Sequence, residues 1–242
     1  MYKTLNERIT NLKNKLTTEE KHDFESLRQL VEVLRSEDGC PWDREQTHAS
    51  IRTDLIEETY EAIEGIDKDD MILLQEELGD VMFQVLFHSR IEEEKGGFTV
   101  DDVVHDICHK MIVRHPHVFG NVEVDSSAQV LKNWEAIKTV EKSRDTVKAK
   151  MEAVPKQYPA LIRAKKVVKK ARAGGYEFGS EEELTAKLQN LTTSLSGADP
   201  ESRQKLLTEI IFTSVQIAGS DVDVEKNLGD LVNDFIGSYT EE

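Results

Sequence analysis

The sequence is poor in the features that mark a stapled, membrane-spanning or sheet-built protein. Its 242 residues include only two cysteines, Cys40 and Cys108. That is too few for a disulfide framework and suits a reducing cytosol. No apolar run approaches the roughly 20 residues of a membrane span, and the N-terminus lacks the apolar core of a signal peptide. A cytoplasmic location with no membrane partner is therefore expected. Prolines number 5 and glycines 13, low for disorder or an all-β fold, so a helix-rich domain is favoured. Positive charge is also short: the formal net charge is −16, which argues against general nucleic-acid binding. A polyanionic substrate would need a metal ion and a local basic patch. No Ser-His-Asp or activated-cysteine arrangement offers a side-chain nucleophile.

What the sequence does have is carboxylate, patterned. Glu57-Glu58-x-x-Glu61 is followed, after fifteen residues, by Glu77-x-x-Asp80. At about 100° per residue, Asp54, Glu57, Glu58, Glu61 and Glu64 share one face of a first helix. On a second, Glu77, Asp80, Gln84 and His88 form a narrow polar line, and Leu78, Val81, Met82, Phe83, Val85, Leu86 and Phe87 wrap most of the rest. A helix apolar nearly all round is expected to be buried. Only Asp67-Lys68-Asp69-Asp70 separates the two, so they should be antiparallel neighbours with their carboxylate faces opposed. Packed carboxylates repel, and desolvation sharpens the repulsion unless a cation sits among them. Two readings stay open on spacing alone: a divalent-metal site between the helices, or a solvated acidic face. The second accounts well for the first helix and poorly for the second.

The flanking segments supply other candidates. Leu5, Ile9, Leu12 and Leu16 suggest an amphipathic arm, and Phe24, Leu27, Leu30, Val31 and Leu34 a first core helix. In the turn Gly39-Cys40-Pro41-Trp42-Asp43, Trp42 either stacks on a base or plugs the end of the bundle. Cys40 reads as a small packing residue. A helix begins after Gly96-Gly97 and ends at His115-Pro116-His117, a triplet too weak to mark a transition metal. Within it Lys110 and Arg114 are spaced i, i+4, as a phosphate clamp would be, or as a cationic helix end that complements the dipole. Trp134, in a segment from Val130 to Lys142, is a base-stacking residue or a cap on the core. Residues 144–156 read as a polar linker. Beyond it come a strongly basic helix with Arg163, Lys165, Lys166, Lys169, Lys170 and Arg172, a stop at Gly174-Gly175, and three further apolar helical stripes.

Taken in order, Gly39-Cys40-Pro41-Trp42-Asp43, Glu57-Glu58-x-x-Glu61, Glu77-Leu78-Gly79-Asp80, Arg114-His115-Pro116-His117-Val118-Phe119 and Trp134-Glu135-x-Ile137-Lys138 resemble the MazG family of nucleoside triphosphate pyrophosphohydrolases. The resemblance covers residues 24–142 closely. It implies an all-α helical bundle of the NTP pyrophosphatase type, usually a homodimer, that cleaves between the α and β phosphates. Carried over by motif, Glu58, Glu61, Glu77 and Asp80 would hold Mg2+, with Mn2+ a possible substitute. Glu57 would orient the attacking water. Lys110 and Arg114 would meet phosphates, Trp134 and Lys138 would close on the nucleotide, and Trp42 would lie near the base.

Longer members of the family carry two such units, and Pro159-Ala160-Leu161-x-Arg163-Ala164-x-Lys166 is similar to their inter-unit segment. Where the acidic motif would recur, this chain has residues near Ala186, Lys187, Asn190, Leu206 and Glu209 instead. A lysine there would repel a cation, so the second unit is expected to be catalytically dead. The expected organisation is an N-terminal arm over 1–21, a MazG-like catalytic domain over 22–143, a linker over 144–158 and a degenerate second MazG-like domain over 159–242. The expected function is Mg2+-dependent, house-cleaning hydrolysis of NTP to NMP and diphosphate, broad over ribo- and deoxyribonucleotides. The alternative is a helical regulator that binds a nucleotide without cleaving it.

Overall fold

The computed structural model describes residues 5–141 and 146–239, with the side chains of 5 and 139–141 excepted. Residues 1–4 of the expected arm and 144–145 of the expected linker lie outside the described residues. Among the described residues there are thirteen helices and no strand, as the all-α expectation requires. The chain forms two compact units, Met1–Val124 and Asp125–Glu242.

In the first unit α1 (Leu5–Thr18) lays Ile9 and Leu12, with Leu16 beside them, against Val33 of α2 (Phe24–Leu34), and Arg8 reaches Glu32 at 2.6 Å. The arm is thus packed on the body of its own unit. Helix α2 starts where Asp23 accepts the Ser26 N–H at 2.8 Å, satisfying one of the donors that a helix N-terminus leaves open. Its Val31 enters a core with Ile51, Leu86, Phe87, Ile91 and Val100, packed by Leu27 and Phe83. Each of the larger side chains contributes about 1.5–3 kcal/mol by burial.

The turn after α2 leads into a short helix, α3 (Pro41–Glu45), with Pro41 in its first turn, where a missing N–H costs nothing. Arg35 fixes this corner. Its side chain is almost wholly buried, pairs with Glu94 at 2.7 Å, donates to the Asp43 and Gln46 carbonyls at 2.6 and 3.2 Å, and lies 5.1 Å over the Phe87 ring.

Helices α4 (Arg52–Asp67) and α5 (Met71–Glu94) pack as the expected hairpin. Asp69 takes the left-handed region (φ 55°), which aspartate tolerates better than most residues. Asp70 caps α5 by accepting the Ile72 and Leu73 N–H groups at 3.0 and 3.1 Å. Gly65 makes the approach of the two helices possible: a Cβ there would lie 2.8 Å from the Leu74 backbone nitrogen.

The expectation that α5 is buried nearly all round needs correction. It buries Leu86, Phe87 and Ile91 on one face, but Leu78, Met82 and Val85 are exposed, as are Ile56, Tyr60 and Ile63 of α4. Periodicity counts apolar positions. It does not say which covering surface belongs to the same chain.

The unit continues with α6 (Val100–Arg114), which packs on α5 and opens with a reciprocal cap between Thr99 and Asp102, and with the single turn α7 (Pro116–Phe119).

The second unit begins with α8 (Ser127–Glu141), so the helix that the sequence reading sets at the end of a 22–143 domain clusters with the helices after it. Within the segment read as a polar linker lies a helix, α9 (Val147–Glu152). Its Val147 seats against Gly174, where an added Cβ would meet Val147 Cγ2 at 2.2 Å, and Val154 just beyond it is buried. The basic helix is α10 (Ala160–Ala173), which buries Val168 and Ala171, exposes Lys166 and Lys169, and holds Arg163, Lys165 and Lys170 half-buried. Helices α11 (Glu181–Ser194) and α12 (Pro200–Ala218) form a second hairpin, and Arg172 ties α10 to it by donating to the Gln216 carbonyl at 2.7 Å. Helix α13 (Val224–Ser238) completes the unit.

Candidate metal and nucleotide site

The α4–α5 hairpin brings carboxylates together. Glu58, Glu77 and Asp80 each offer an oxygen, all within 4.8 Å of one another. Glu58 and Glu77 come from opposite helices, and Asp80 follows Glu77 at i+3 on the same face. Glu77 is the deep member at 7% exposure, Glu58 is half-buried and Asp80 is exposed, so the group opens to solvent on one side.

Electrostatics show the cost of this arrangement. Burial pushes the Glu77 carboxyl above its ordinary value, and the charges of Glu61, Asp80 and Glu58 push it further. Glu58 is raised in the same way, by burial first and then by Asp80 and Glu61. A solvated acidic face would leave these groups in water and apart. Here each carboxylate opposes the ionisation of the next, the condition that a bound cation relieves. Oxygen-only donors at this spacing fit a hard divalent ion that keeps part of its water shell. Glu61 stands outside the trio, yet its charge acts on both raised groups. Glu57 is exposed and also outside it.

The polar line of α5 runs on from the cluster. Gln84 follows Asp80 by one turn and His88 follows Gln84 by another. Gln84 is buried, and its Oε1 and the His88 Nε2 are buried without a hydrogen-bond partner. His88 ends against His48, Nδ1 to Nδ1 at 2.8 Å, and the His48 Nε2 meets Glu92 at 2.6 Å. The sequence reading includes His88 but misses His48 as its partner. His48 sits in the turn before α4, where neither periodicity nor a neighbouring charge marks it. Arg35 and Gly65 go unremarked for similar reasons. One looks like any surface arginine, and the other's role exists only against Leu74.

Trp42, on α3, is 63% exposed and plugs nothing within its unit. Lys110 and Arg114 lie one turn apart on α6 but differ in depth, the lysine exposed and the arginine buried and engaged within the fold. Trp134 and Lys138 lie on α8 of the second unit, the lysine nitrogen 4.5 Å from the indole centroid and 3.6 Å from Glu135. Among the described residues, the α11–α12 hairpin holds no acidic group comparable to that of α4–α5; Ala186, Lys187 and Asn190 are exposed there.

Comparison with known proteins supplies the lineage. Residues 46–119 match the family model described as the MazG nucleotide pyrophosphohydrolase domain. Over 218 residues the chain is 37% identical to the nucleoside triphosphate pyrophosphohydrolase/pyrophosphatase MazG of Thermotoga maritima, covering 89% of this chain and 84% of that protein. The chain belongs to the MazG family. The nucleoside triphosphate pyrophosphohydrolase of Escherichia coli K12 is 32% identical over 212 residues, 87% of this chain and 75% of its own. The uncharacterized protein YabN of Bacillus subtilis is 47% identical over 148 residues, but the match spans only 30% of that protein. The MazG match encloses the whole acidic hairpin, together with His48, His88, Lys110 and Arg114. It stops before Trp134 and Lys138.

Proposed function

We propose that this chain is a Mg2+-dependent nucleoside triphosphate pyrophosphohydrolase, broad over ribo- and deoxyribonucleotides, that releases a nucleoside monophosphate and diphosphate. The observation that carries the proposal is the buried carboxylate of Glu77, held within 4.8 Å of Glu58 and Asp80 and resisting its own ionisation. Glu58, Glu61, Glu77 and Asp80 would hold Mg2+, with Mn2+ able to replace it. The ion supplies charge neutralisation on the phosphates and lowers the proton affinity of the attacking water.

The chain's own groups do the remaining work. Water attacks the α-phosphorus, the bond from that phosphorus to the α–β bridging oxygen breaks, and its electron pair leaves with diphosphate. Glu57, adjacent to Glu58 on α4, orients the water, whose proton is released to solvent. Lys110 and Arg114 steady phosphate oxygens. Trp42 offers a base platform, and Trp134 with Lys138 closes on the nucleotide. The catalytic domain runs over 22–143, and the degenerate unit over 159–242 takes no part in the chemistry.

The exposed apolar residues Ile56, Tyr60, Ile63, Leu78, Met82 and Val85 support a homodimer formed through the α4–α5 hairpin. A net charge of −16 and two free cysteines support a cytoplasmic enzyme that leaves nucleic acid alone. Among the described residues no helix is long and apolar enough to cross a membrane.

The test is release of diphosphate from the eight common nucleoside triphosphates with and without Mg2+. Activity should need the ion and fall about 100-fold or more in Glu61→Gln and in Asp80→Asn. Turnover at the wild-type level in either variant overturns the assignment, and binding without diphosphate release would make the chain a regulator.

A further inference from the structure

In a chain where 47 acidic residues outnumber 31 basic ones, one cavity reverses the sign. It lies in the second unit, has a volume of about 540 Å3, and among the described residues is lined by Lys138, Lys150, Lys166, Lys169 and Lys170 against the single acid Glu135. Leu131, Ala136, Ala173 and Gly174 supply apolar wall between the ammonium groups. The volume falls within the range of about 300–1,000 Å3 usual for small-molecule sites.

A basic helix end is the plain explanation for some of this, since Lys170 and Arg172 stand in the last turn of α10 and complement its dipole. It does not account for Lys166, more than a turn further in, nor for cations that converge from other helices. Lys150 comes from α9 and Lys138 from α8. Along α10 itself, Lys166, Lys169 and Lys170 fall at i, i+3 and i+4 and share a face. Like charges at that spacing destabilise a helix by about 0.2–0.5 kcal/mol a pair. Lys138 is offset by Glu135 and Lys170 is engaged within the fold, while low-dielectric walls focus the field of Lys150, Lys166 and Lys169 on the concavity. The contact of Val147 with Gly174, which a side chain at 174 would break, is what draws the α9 lysine towards the α10 lysines.

From this cavity we infer a second binding site, for the di- or triphosphate group of a small molecule. Several ammonium groups on one wall match the several adjacent charges of a polyphosphate, which accepts charge-assisted hydrogen bonds along its whole length. The inference goes beyond the proposed catalytic reading, which uses none of the α9 or α10 lysines. Lys138 is shared between the two and is therefore left intact in the test.

Calorimetric titration of the full chain with inorganic tripolyphosphate, at low salt and with EDTA, reads this site without catalysis. Wild type binds, with affinity that falls steeply as salt is added. The double variant Lys166→Ala/Lys169→Ala, both residues being exposed, keeps its unfolding temperature and loses at least about tenfold in affinity, since each charged contact contributes about 1.5–3 kcal/mol. A nucleoside triphosphate bearing a non-hydrolysable α–β bridge, titrated in parallel, identifies the source. Binding tighter than tripolyphosphate assigns the site to a nucleoside polyphosphate, and equal binding assigns it to free polyphosphate. No binding by wild type, or unchanged binding by the double variant, overturns the inference. Diphosphate release with Mg2+ and its loss in Glu61→Gln are read separately, so either proposal can fail without the other.

Discussion

His48 and His88 meet Nδ1 to Nδ1 at 2.8 Å, their rings 7° from parallel. A hydrogen bond of this kind needs one lone pair, so the two rings cannot both be imidazolium. Glu92 lies 2.6 Å from the other nitrogen of His48 and is itself held by Lys95 at 2.9 Å. Burial, then the neighbouring His48 charge, hold His88 below its ordinary value. The pair bridges the turn before α4 to the middle of α5, so its protonation state bears on the hairpin that carries the carboxylates.

A pH dependence of stability results from the direction of that shift. The unfolded chain takes up a proton at His88 near the ordinary histidine value of about 6.5, before the folded protein does. The stabilising contribution is therefore complete above about pH 6.5 and is lost as pH falls through the window below it. Thermal unfolding without divalent metal should show wild type losing more stability than His88→Gln between about pH 7.5 and 5.5. Parallel profiles for the two proteins would remove His88 as the cause.

Two glycines of the hairpin should answer the same substitution with opposite signs. At Gly65 an added Cβ meets Leu74 backbone, 2.8 Å from its nitrogen and 3.0 Å from its Cα, and backbone cannot yield as a side-chain tip can. Gly65→Ala should cost about 1–3 kcal/mol, as overpacking does, and should weaken metal binding by spreading α4 from α5. At Gly79, between Glu77 and Asp80, a Cβ meets nothing within 4 Å. Gly79→Ala should raise stability by about 0.5–1 kcal/mol through helix propensity alone. Urea unfolding of both variants checks the pair.

These residues show where the sequence was legible. The extent of α2, the hairpin of α4 and α5, and the stop of α10 at Gly174 come from periodicity, a four-residue connection and a glycine. Helical phase gives only the two acidic faces, Asp54, Glu57, Glu58, Glu61 and Glu64 on one helix and Glu77 and Asp80 on the next; the choice of Glu58, Glu61, Glu77 and Asp80 among them comes from the resemblance to the MazG family. Burial on α5 was not legible. Leu78 and Leu86 are the same residue type on the same helix, and only packing exposes one and buries the other. The helix α9 was hidden because its large apolar residues, Val147 and Met151, are too few to form a pattern among polar neighbours. Non-local partnerships such as His48 with His88, Arg35 with Glu94, and Gly65 with Leu74 leave no periodic trace at all.

Arg35 makes the most economical use of one side chain in the first unit. Its guanidinium pairs with Glu94, donates to two carbonyls around α3 and covers the Phe87 ring, a set that needs a planar fork. Lysine keeps the charge and can reproduce one contact. Arg35→Lys should therefore destabilise the protein by about 1–3 kcal/mol, through the lost guanidinium bonds to Glu94 and to the part-buried Asp43 and Gln46 carbonyls, of which the first keeps only the Gln46 N–H. Because α3 carries Trp42, the tryptophan fluorescence should also shift in the folded variant. An unfolding midpoint equal to wild type would show that the two carbonyls find water instead.

The carboxylate trio should trade stability for binding. Without a cation, Glu58 and Glu77 carry raised affinities for protons, so keeping them ionised at neutral pH costs folding free energy. The folded protein holds these protons more tightly than the unfolded chain does. Stability from this source is thus greatest at low pH and is lost as pH rises from the ordinary glutamate range through the raised values. Replacing Glu58 by glutamine removes one charge and relieves Glu77 as well. In EDTA at neutral pH, Glu58→Gln should unfold at a higher temperature than wild type. Saturating Mg2+ should invert the order. At a hundred times its dissociation constant a ligand stabilises the form that binds it by about 2.7 kcal/mol, which wild type gains and the variant largely loses. Differential scanning calorimetry in EDTA and in Mg2+ reads both halves of this. A variant less stable than wild type in EDTA would mean that the three carboxylates are held by their packing rather than strained by their charge.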